Sequence, residues 1–260
     1  MHPFHVVIPA RFASTRLPGK PLLEIGGKPM VIRVAEQAAQ SGAREICIAT
    51  DHQHIAAAAA QHGFNACMTR TDHSSGTDRI AEVVQQRGWP DDTIVVNVQG
   101  DEPLIPPALI RAVAGHLHRH PECAIATACH AIHDEASMRN PNIVKTVLDK
   151  NGNALYFSRA PIPYPRDVFA AQTALPKELP VLRHIGIYAY RVSFLRAYSQ
   201  LAPCALEHFE ALEQLRALYH GYKIGVAITE QAPPAGVDTQ ADLELARTIF
   251  ENQEGIREKS

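Results

Sequence analysis

The sequence predicts an α/β domain built on a mostly parallel β-sheet covered by helices on both faces. Two observations carry that prediction. Short β-branched runs alternate with stretches of helical periodicity through roughly the first 120 residues, and strands separated by helices pair in parallel. Runs such as FHVVIP and TIVVNVQ are also apolar almost throughout, as strands buried on both faces must be. The chain has 260 residues, 46% of them apolar and 20% charged. That suits one large domain, or one domain carrying an inserted lobe, with a sizeable core.

The elements follow in order. FHVVIP (4–9) reads as a buried strand. Residues 29–41 read as a helix opened by Pro29 and closed near Gly42, because proline suits the first helical turn and glycine the end. EICIAT (45–50) is a second strand and the alanine-rich 52–62 a second helix. Thr77–Gln86 is helical, TIVVNVQ (93–99) is an apolar strand running into Gly100 and Asp101, and 107–119 is a helix begun by Pro106 and Pro107. The rhythm then changes. AIATACHAI (124–132), IVKTVLD (143–149) and HIGIYAYR (184–191) read as strands without regular helices between them. Pro161, Pro163, Pro165, Pro176 and Pro180 make 159–180 a loop or lid. A helix at 206–219, a strand at 223–229 and a helix at 239–250 complete the fold, and the polar 251–260 reads as a frayed tail.

Composition excludes several functions. The formal net charge is -2 and no helix carries a basic stripe, unlike a duplex nucleic-acid binder. Charge is instead concentrated locally: Arg11, Arg16, Lys20, Lys28 and Arg33 stand against Glu24 alone, an excess suited to an anion such as a triphosphate. The five cysteines are odd in number and lack CxxC spacing, so neither a disulfide framework nor a structural zinc site is signalled. No secretory leader precedes the first strand and no apolar run approaches a membrane span; the reading is a cytoplasmic protein without membrane or nucleic-acid partners.

Four segments could carry chemistry. PARFASTRLPGKPL (9–22) follows the first strand, where ligands of open α/β sheets bind. Arg11, Arg16 and Lys20 can reach phosphate oxygens and Gly19 permits close approach, although an ordinary basic surface loop has the same composition. VNVQGDEP (96–103) places Asp101 just past a buried strand, where it could hold Mg²⁺ or cap the next helix. GVDTQADLE (236–244) offers Asp238 either as a helix N-cap or, if it meets Asp101, as a second metal ligand. In LEHFEALEQLR (206–216), Phe209, Leu212, Leu215 and Tyr219 share one face, while Glu207, Glu210 and Gln214 cluster opposite with Glu213 at the flank; a solvated polar face is the simpler reading. His116 and His120, four apart on a helix, have no evident third ligand.

Together these segments resemble the 3-deoxy-manno-octulosonate cytidylyltransferases (CMP-KDO synthetases). IPARFASTRLPGKPLLEIGGKPM, ATDH, TRTDHSSGTDRIAEV, VNVQGDEPLI, NPNIVKTVLD, ALYFSRAPIPYPRD, LRHIGIYAYR, LEHFEALEQLR and GVDTQADLE occur in register from residue 7 to about 244. The resemblance implies a nucleotide-diphospho-sugar-transferase-like fold with a smaller mixed-strand lobe, usually dimeric. It divides residues 1–250 into a mainly nucleotide-binding part (1–130), a sugar-binding and dimerisation lobe (131–225) and a return to the core (226–250). It implies transfer of CMP from CTP to 3-deoxy-D-manno-octulosonate (KDO), releasing pyrophosphate, for lipopolysaccharide biosynthesis. The roles it implies are these: Arg11, Arg16 and Lys20 hold the CTP triphosphate; Pro9, Ala10, Ser75 and Gly76 frame the cytosine; Asp101 and Asp238 bind Mg²⁺. Gln99, Arg159, His184, Tyr188, Glu213 and Gln214 contact KDO, and Asp101, Asp238, Lys20 and Arg11 are catalytic. The rivals are a cytidylyltransferase for a related acidic sugar, 8-amino KDO or sialic acid, and a non-catalytic nucleotide sensor on the same fold.

Overall fold

A computed structural model of the chain describes residues 2–13, 17–73, 75–171 and 173–257. Eleven strands form among them: β1 Phe4–Ala10, β2 Glu24–Ile25, β3 Lys28–Pro29, β4 Glu45–Thr50, β5 Asn65–Met68, β6 Ile94–Asn97, β7 Ile125–Ala131, β8 Lys145–Leu148, β9 Ala154–Ser158, β10 Leu182–Arg191 and β11 Ile224–Thr229. The helices are α1 Met30–Ala39, α2 Gln53–Gln61, α3 Gly76–Arg87, α4 Pro107–Arg119, α5 Glu135–Arg139, α6 Arg166–Ala171, α7 Val192–Tyr198, α8 Ala205–Glu210, α9 Gln214–Tyr219 and α10 Gln240–Arg257.

Nine strands make one sheet, in the order β11-β7-β10-β6-β1-β4-β5, with β8 pairing β10 and β9 pairing β8. β1 pairs in parallel with both β4 and β6, and β4 with β5. β10 runs antiparallel between β6 and β7, and β11 returns parallel to β7. The expected α/β class is therefore present: a mostly parallel sheet with helices on its faces and a smaller antiparallel piece in β8 and β9.

The side-chain period of two explains why β1 is apolar throughout. Val6 and Ile8 join the core beneath α1 and α4, with Val31, Ile32, Ile110 and Val113. Val7 points the other way, into a core with Ile80 and Val84 of α3 and Phe194 and Leu195 of α7. Each such side chain contributes about 1.5–3 kcal/mol on burial. A third apolar cluster joins Leu17, Ile25 and Met30 to Val237, Leu243, Ala246 and Phe250. It clamps the C-terminal helix onto the loop after β1 and so brings residues 17–25 and 237–250 together.

Three expectations need correction. The helix expected at 206–219 is two short helices, because Ala211 lies in the left-handed region at φ 50°. Arg159 is the physical cause at hand: its Nε donates to the Glu210 carbonyl at 2.7 Å and its backbone N–H to Glu210 Oε2 at 2.9 Å, satisfying the end of α8. The expected apolar face splits accordingly. Leu212 and Leu215 are buried, whereas Phe209 is 85% and Tyr219 63% exposed. Second, the final helix runs on to Arg257, so residues 251–257 are not a frayed tail. Third, the expected loop at 159–180 contains α6. β5, β9, α5 and α7 were not anticipated; all are short, and short elements carry too few periods to read.

Candidate functional site

The carboxyl ends of β1 and β6 lie side by side, since the two strands pair in parallel from Phe4 with Ile94 to Val7 with Asn97. Beyond them Val98 N–H still donates to the Val7 carbonyl at 3.2 Å, and the chain then turns at Gly100. A Cβ on Gly100 would stand 2.8 Å from the Pro9 carbonyl oxygen, so only glycine lets these strand ends approach so closely. The cleft that opens there has a volume of about 380 Å³. Pro9, Ala10, Arg11, Lys20, Ser75 and Gly76 line it, together with Gln99, Asp101, Glu213 and Asp238.

Lys20 is the first residue of a 3₁₀ turn entered through Gly19 in the left-handed conformation, φ 64°. Its ammonium donates to Asp101 Oδ2 at 2.7 Å and to Asp238 Oδ1 at 3.1 Å. The two acids, 137 positions apart in sequence, therefore meet on one cation, and the two bridged oxygens lie less than 6 Å from each other. The backbone fixes this meeting. Val237 N–H donates to the Asp101 carbonyl at 2.8 Å, and a Cβ on Gly236 would lie 3.2 Å from that oxygen.

Neither acid is a helix cap. Thr239 and Asp242 form a reciprocal capping box at the start of α10: Asp242 N–H donates to Thr239 Oγ1 at 3.2 Å, and Thr239 N–H to Asp242 Oδ2 at 2.8 Å. Pro106, not Asp101, occupies the N-cap position of α4. Among the described residues no three His, Cys, Asp or Glu side chains gather as a metal-binding group. The two carboxylates are hard oxygen donors and fit Mg²⁺, an ion that completes its shell with water and phosphate oxygens.

A second cavity of about 270 Å³ adjoins the cleft, sharing Gly76, Gln99 and Glu213 with it. Thr77, Asn97, Tyr188, Tyr190, Tyr198 and Gln214 line its interior. Thr77 Oγ1 donates to Glu213 Oε2 at 2.9 Å. Glu213 opens to the cleft, yet the walls around it strip enough hydration to raise its carboxyl above the usual range. Burial raises the Tyr188, Tyr190 and Tyr198 phenols above theirs, so all three keep their protons. The break at Ala211 lets adjacent Glu213 and Gln214 both face this space.

Arg159 and His184 line neither cavity. The Arg159 guanidinium is spent on backbone carbonyls of Glu210, Pro141 and Ala211, at 2.7, 3.0 and 3.5 Å. His184 Nε2 lies 2.9 Å from Thr127 Oγ1, its ring 5.4 Å from that of Tyr188, and burial pushes its pKa down to about 3. Ser75 lines the cleft and also caps α3, accepting from Asp78 N–H at 3.1 Å. Arg16 lies outside the described residues. Sequence reasoning missed Arg79, which lines the cleft while only 4% exposed. Its guanidinium holds Asp51 at 3.0 Å, and Asp51 in turn accepts from Phe12 N–H at 3.2 Å, which anchors the loop after β1.

A cation-lined cleft at the ends of parallel strands, with paired carboxylates and an adjoining polar pocket, defines a nucleotide-handling transferase of the α/β class. The comparisons agree: a model of the cytidylyltransferase family matches residues 5–224, and the chain belongs to that family of nucleotidyltransferase enzymes. It is similar to the solved structure of CMP:2-keto-3-deoxy-manno-octonic acid synthetase complexed with CTP, at 43% identity over 97% of this chain and 100% of that one, with a TM-score of 0.88. A cytidylyltransferase from Leptospira borgpetersenii serovar Hardjo-bovis shares the fold, at 16% identity over 96% of this chain and 88% of that one, TM-score 0.61. No helix among the described residues is long and apolar enough to cross a membrane.

Proposed function

We propose that the chain transfers CMP from CTP to the anomeric hydroxyl of KDO, giving CMP-KDO and pyrophosphate for lipopolysaccharide assembly in the cytoplasm. The observation that carries this is the pair of adjoining cavities: one beside the Lys20–Asp101–Asp238 cluster, the other a polar pocket of sugar size. The similar CTP-bound synthetase supports the choice of both substrates.

In this reading Arg11 and Lys20 hold the triphosphate, with Arg16 as a further cation in the same loop. Pro9, Ala10, Ser75 and Gly76 frame the base. Gln99 and Glu213, common to both cavities, orient the sugar where it meets the nucleotide, and Tyr188 and Gln214 line its pocket. The anomeric oxygen bonds to the α-phosphorus as the bond to the bridging oxygen breaks; pyrophosphate leaves with that electron pair, and the hydroxyl proton passes to solvent. Both partners are anions, so holding them together in a walled cleft removes much of the barrier, up to ~7–11 kcal/mol by positioning alone. Asp101 and Asp238 would hold Mg²⁺, which would neutralise charge on the phosphates. Arg159 and His184 act from behind the pocket: Arg159 by fixing the turn that presents Glu213 and Gln214, His184 as a neutral neighbour of Tyr188. The exposed Leu206 and Phe209 on α8 suit a homodimer, which sedimentation would reveal.

Pyrophosphate release with CTP, KDO and Mg²⁺ tests the proposal. Sialic acid in place of KDO should give little product; equal rates would shift the reading to another acidic sugar. Asp101→Asn should cut kcat by orders of magnitude with the melting temperature retained, and near-normal turnover would remove Asp101 from the chemistry.

A further inference from the structure

All five cysteines are buried with free thiols, and two of them are neighbours. In the parallel pairing of β4 with β5, Cys47 stands opposite Asn65 and Cys67 opposite Ala49. The two cysteines are therefore diagonal neighbours, and the strand period of two puts both on one face of the sheet. That face packs against Ile80, Val83 and Val84 of α3. The thiols lie within hydrogen-bonding reach of each other, and Arg87, the last residue of α3, reaches both. Its Nη2 stands 3.7 Å from Cys47 Sγ and 3.4 Å from Glu45 Oε1.

An apolar wall with one guanidinium treats the two thiols differently. Cys47 donates its hydrogen to Cys67, and that bond together with burial raises the Cys47 pKa, so Cys47 keeps its proton. The same hydrogen bond, helped by the Arg87 charge, lowers the Cys67 pKa against the opposing effect of burial. Thiolates, not thiols, attack oxidants, and a neighbouring cation or donor is what makes one at neutral pH. Burial instead raises Cys123, to about 11, and Cys129. Access also favours Cys67. β5 is four residues long and lies at the end of the sheet, paired with β4 alone; Cys67 keeps 7% exposure and Met68 beside it 45%.

We propose that Cys67 and Cys47 form a reversible oxidation site for hydroperoxides, with Cys67 as the attacking thiolate and Cys47 as the resolving thiol. The Cys67 sulfur bonds to one peroxide oxygen as the O–O bond breaks. The leaving hydroxide takes a proton from solvent and departs as water, and Cys67 becomes a sulfenic acid. The Cys47 sulfur then bonds to the Cys67 sulfur as the S–O bond breaks, and the Cys47 proton leaves with the hydroxyl as a second water. The two sulfurs together lose two electrons and the peroxide gains them. Diagonal neighbours on paired strands are about 7–8 Å apart at Cα, just beyond the roughly 6.8 Å limit of an ordinary disulfide. Closing the bond therefore draws β5 toward β4 by on the order of 1 Å, a shift open to an edge strand held from one side only.

The sequence makes the test direct. Trypsin releases residues 45–70 as one peptide carrying both cysteines, and cleavage before Asp51 separates them. The folded full-length protein is treated with hydrogen peroxide at pH 7, then unfolded in iodoacetamide and digested. Peptide 45–70 should lose both alkylation sites, and its two halves should stay joined until dithiothreitol is added. The reaction should run at least roughly tenfold faster than oxidation of Cys123 or Cys129. In Cys47→Ser the hydroxyl still donates to Cys67 but cannot resolve it, so a sulfenic acid on Cys67 should accumulate and be captured by dimedone. Should that variant fail to fold, the wild-type reading decides alone. A peptide 45–70 that still takes up two alkyl groups after peroxide, halves that join only in urea, or five thiols oxidised at one rate would overturn the inference.

Discussion

Replacing Lys20 by methionine probes the centre of the site most directly. The ammonium lies 2.7 and 3.1 Å from two carboxylates whose side chains are 38% and 61% exposed. Methionine keeps the stem and removes the charge, leaving two anions less than 6 Å apart. At an effective dielectric constant of about 40, their repulsion is at least about 1.4 kcal/mol. Solvent around Asp238 reduces that, so a loss of about 1 kcal/mol is expected at low ionic strength, and half-molar salt should erase it. A divalent cation no longer has to displace an ammonium in the variant. Mn²⁺ without nucleotide should therefore bind roughly five- to tenfold more tightly than to wild type, while the KM for CTP should rise if Lys20 holds a phosphate as proposed. Urea unfolding at two salt concentrations and a Mn²⁺ titration measure these effects. A variant as stable as wild type at low salt, with no tighter Mn²⁺ binding, would refute the view that Lys20 balances the two acids.

Further predictions follow from the geometry. Gly100→Ala puts a Cβ 2.8 Å from the Pro9 carbonyl; it should cost about 1–3 kcal/mol and lower kcat for both substrates, measured by thermal unfolding and initial rates. Arg159→Ala should lower the unfolding free energy even without sugar, by about 1–3 kcal/mol, because it strips three carbonyls of their donor; the KM for KDO should rise with it, and unchanged stability would return Arg159 to direct sugar binding. His184 is held neutral with its pKa down at about 3, and His116 at about 4. Unfolding lets each regain a pKa near 6.5, so the unfolded chain binds more protons between those values. Stability should be full above pH 6.5 and fall as the pH drops toward 4, by on the order of 1 kcal/mol per pH unit at most for each group; His184→Gln should flatten that slope.

What the sequence made legible follows the range of the interactions. β1, β4 and β6 were readable because burial on both faces writes an apolar run into adjacent residues. Asp101 and Lys20 were readable because each follows a strand end or glycine turn in its own segment. The break at Ala211 was not, since no glycine or proline marks it; it depends on Arg159, more than fifty positions upstream. Arg79 was invisible for the same reason. In TDRIAEV it has the pattern of a solvent-facing arginine, and Asp51 and Thr69, brought alongside by the fold, keep it inside.

The clamp between residues 17–25 and 237–250 has a consequence for folding. Lys20 and Asp238 are 218 positions apart, and the apolar residues that hold them together come from both segments. The loop after β1 therefore cannot meet Asp238 until α10 has docked, and the loop-closure entropy of that docking must be met before its contacts form. The Lys20–Asp238 pair thus belongs to the late, long-range part of folding, whereas β1 and its neighbouring strands can pair without it.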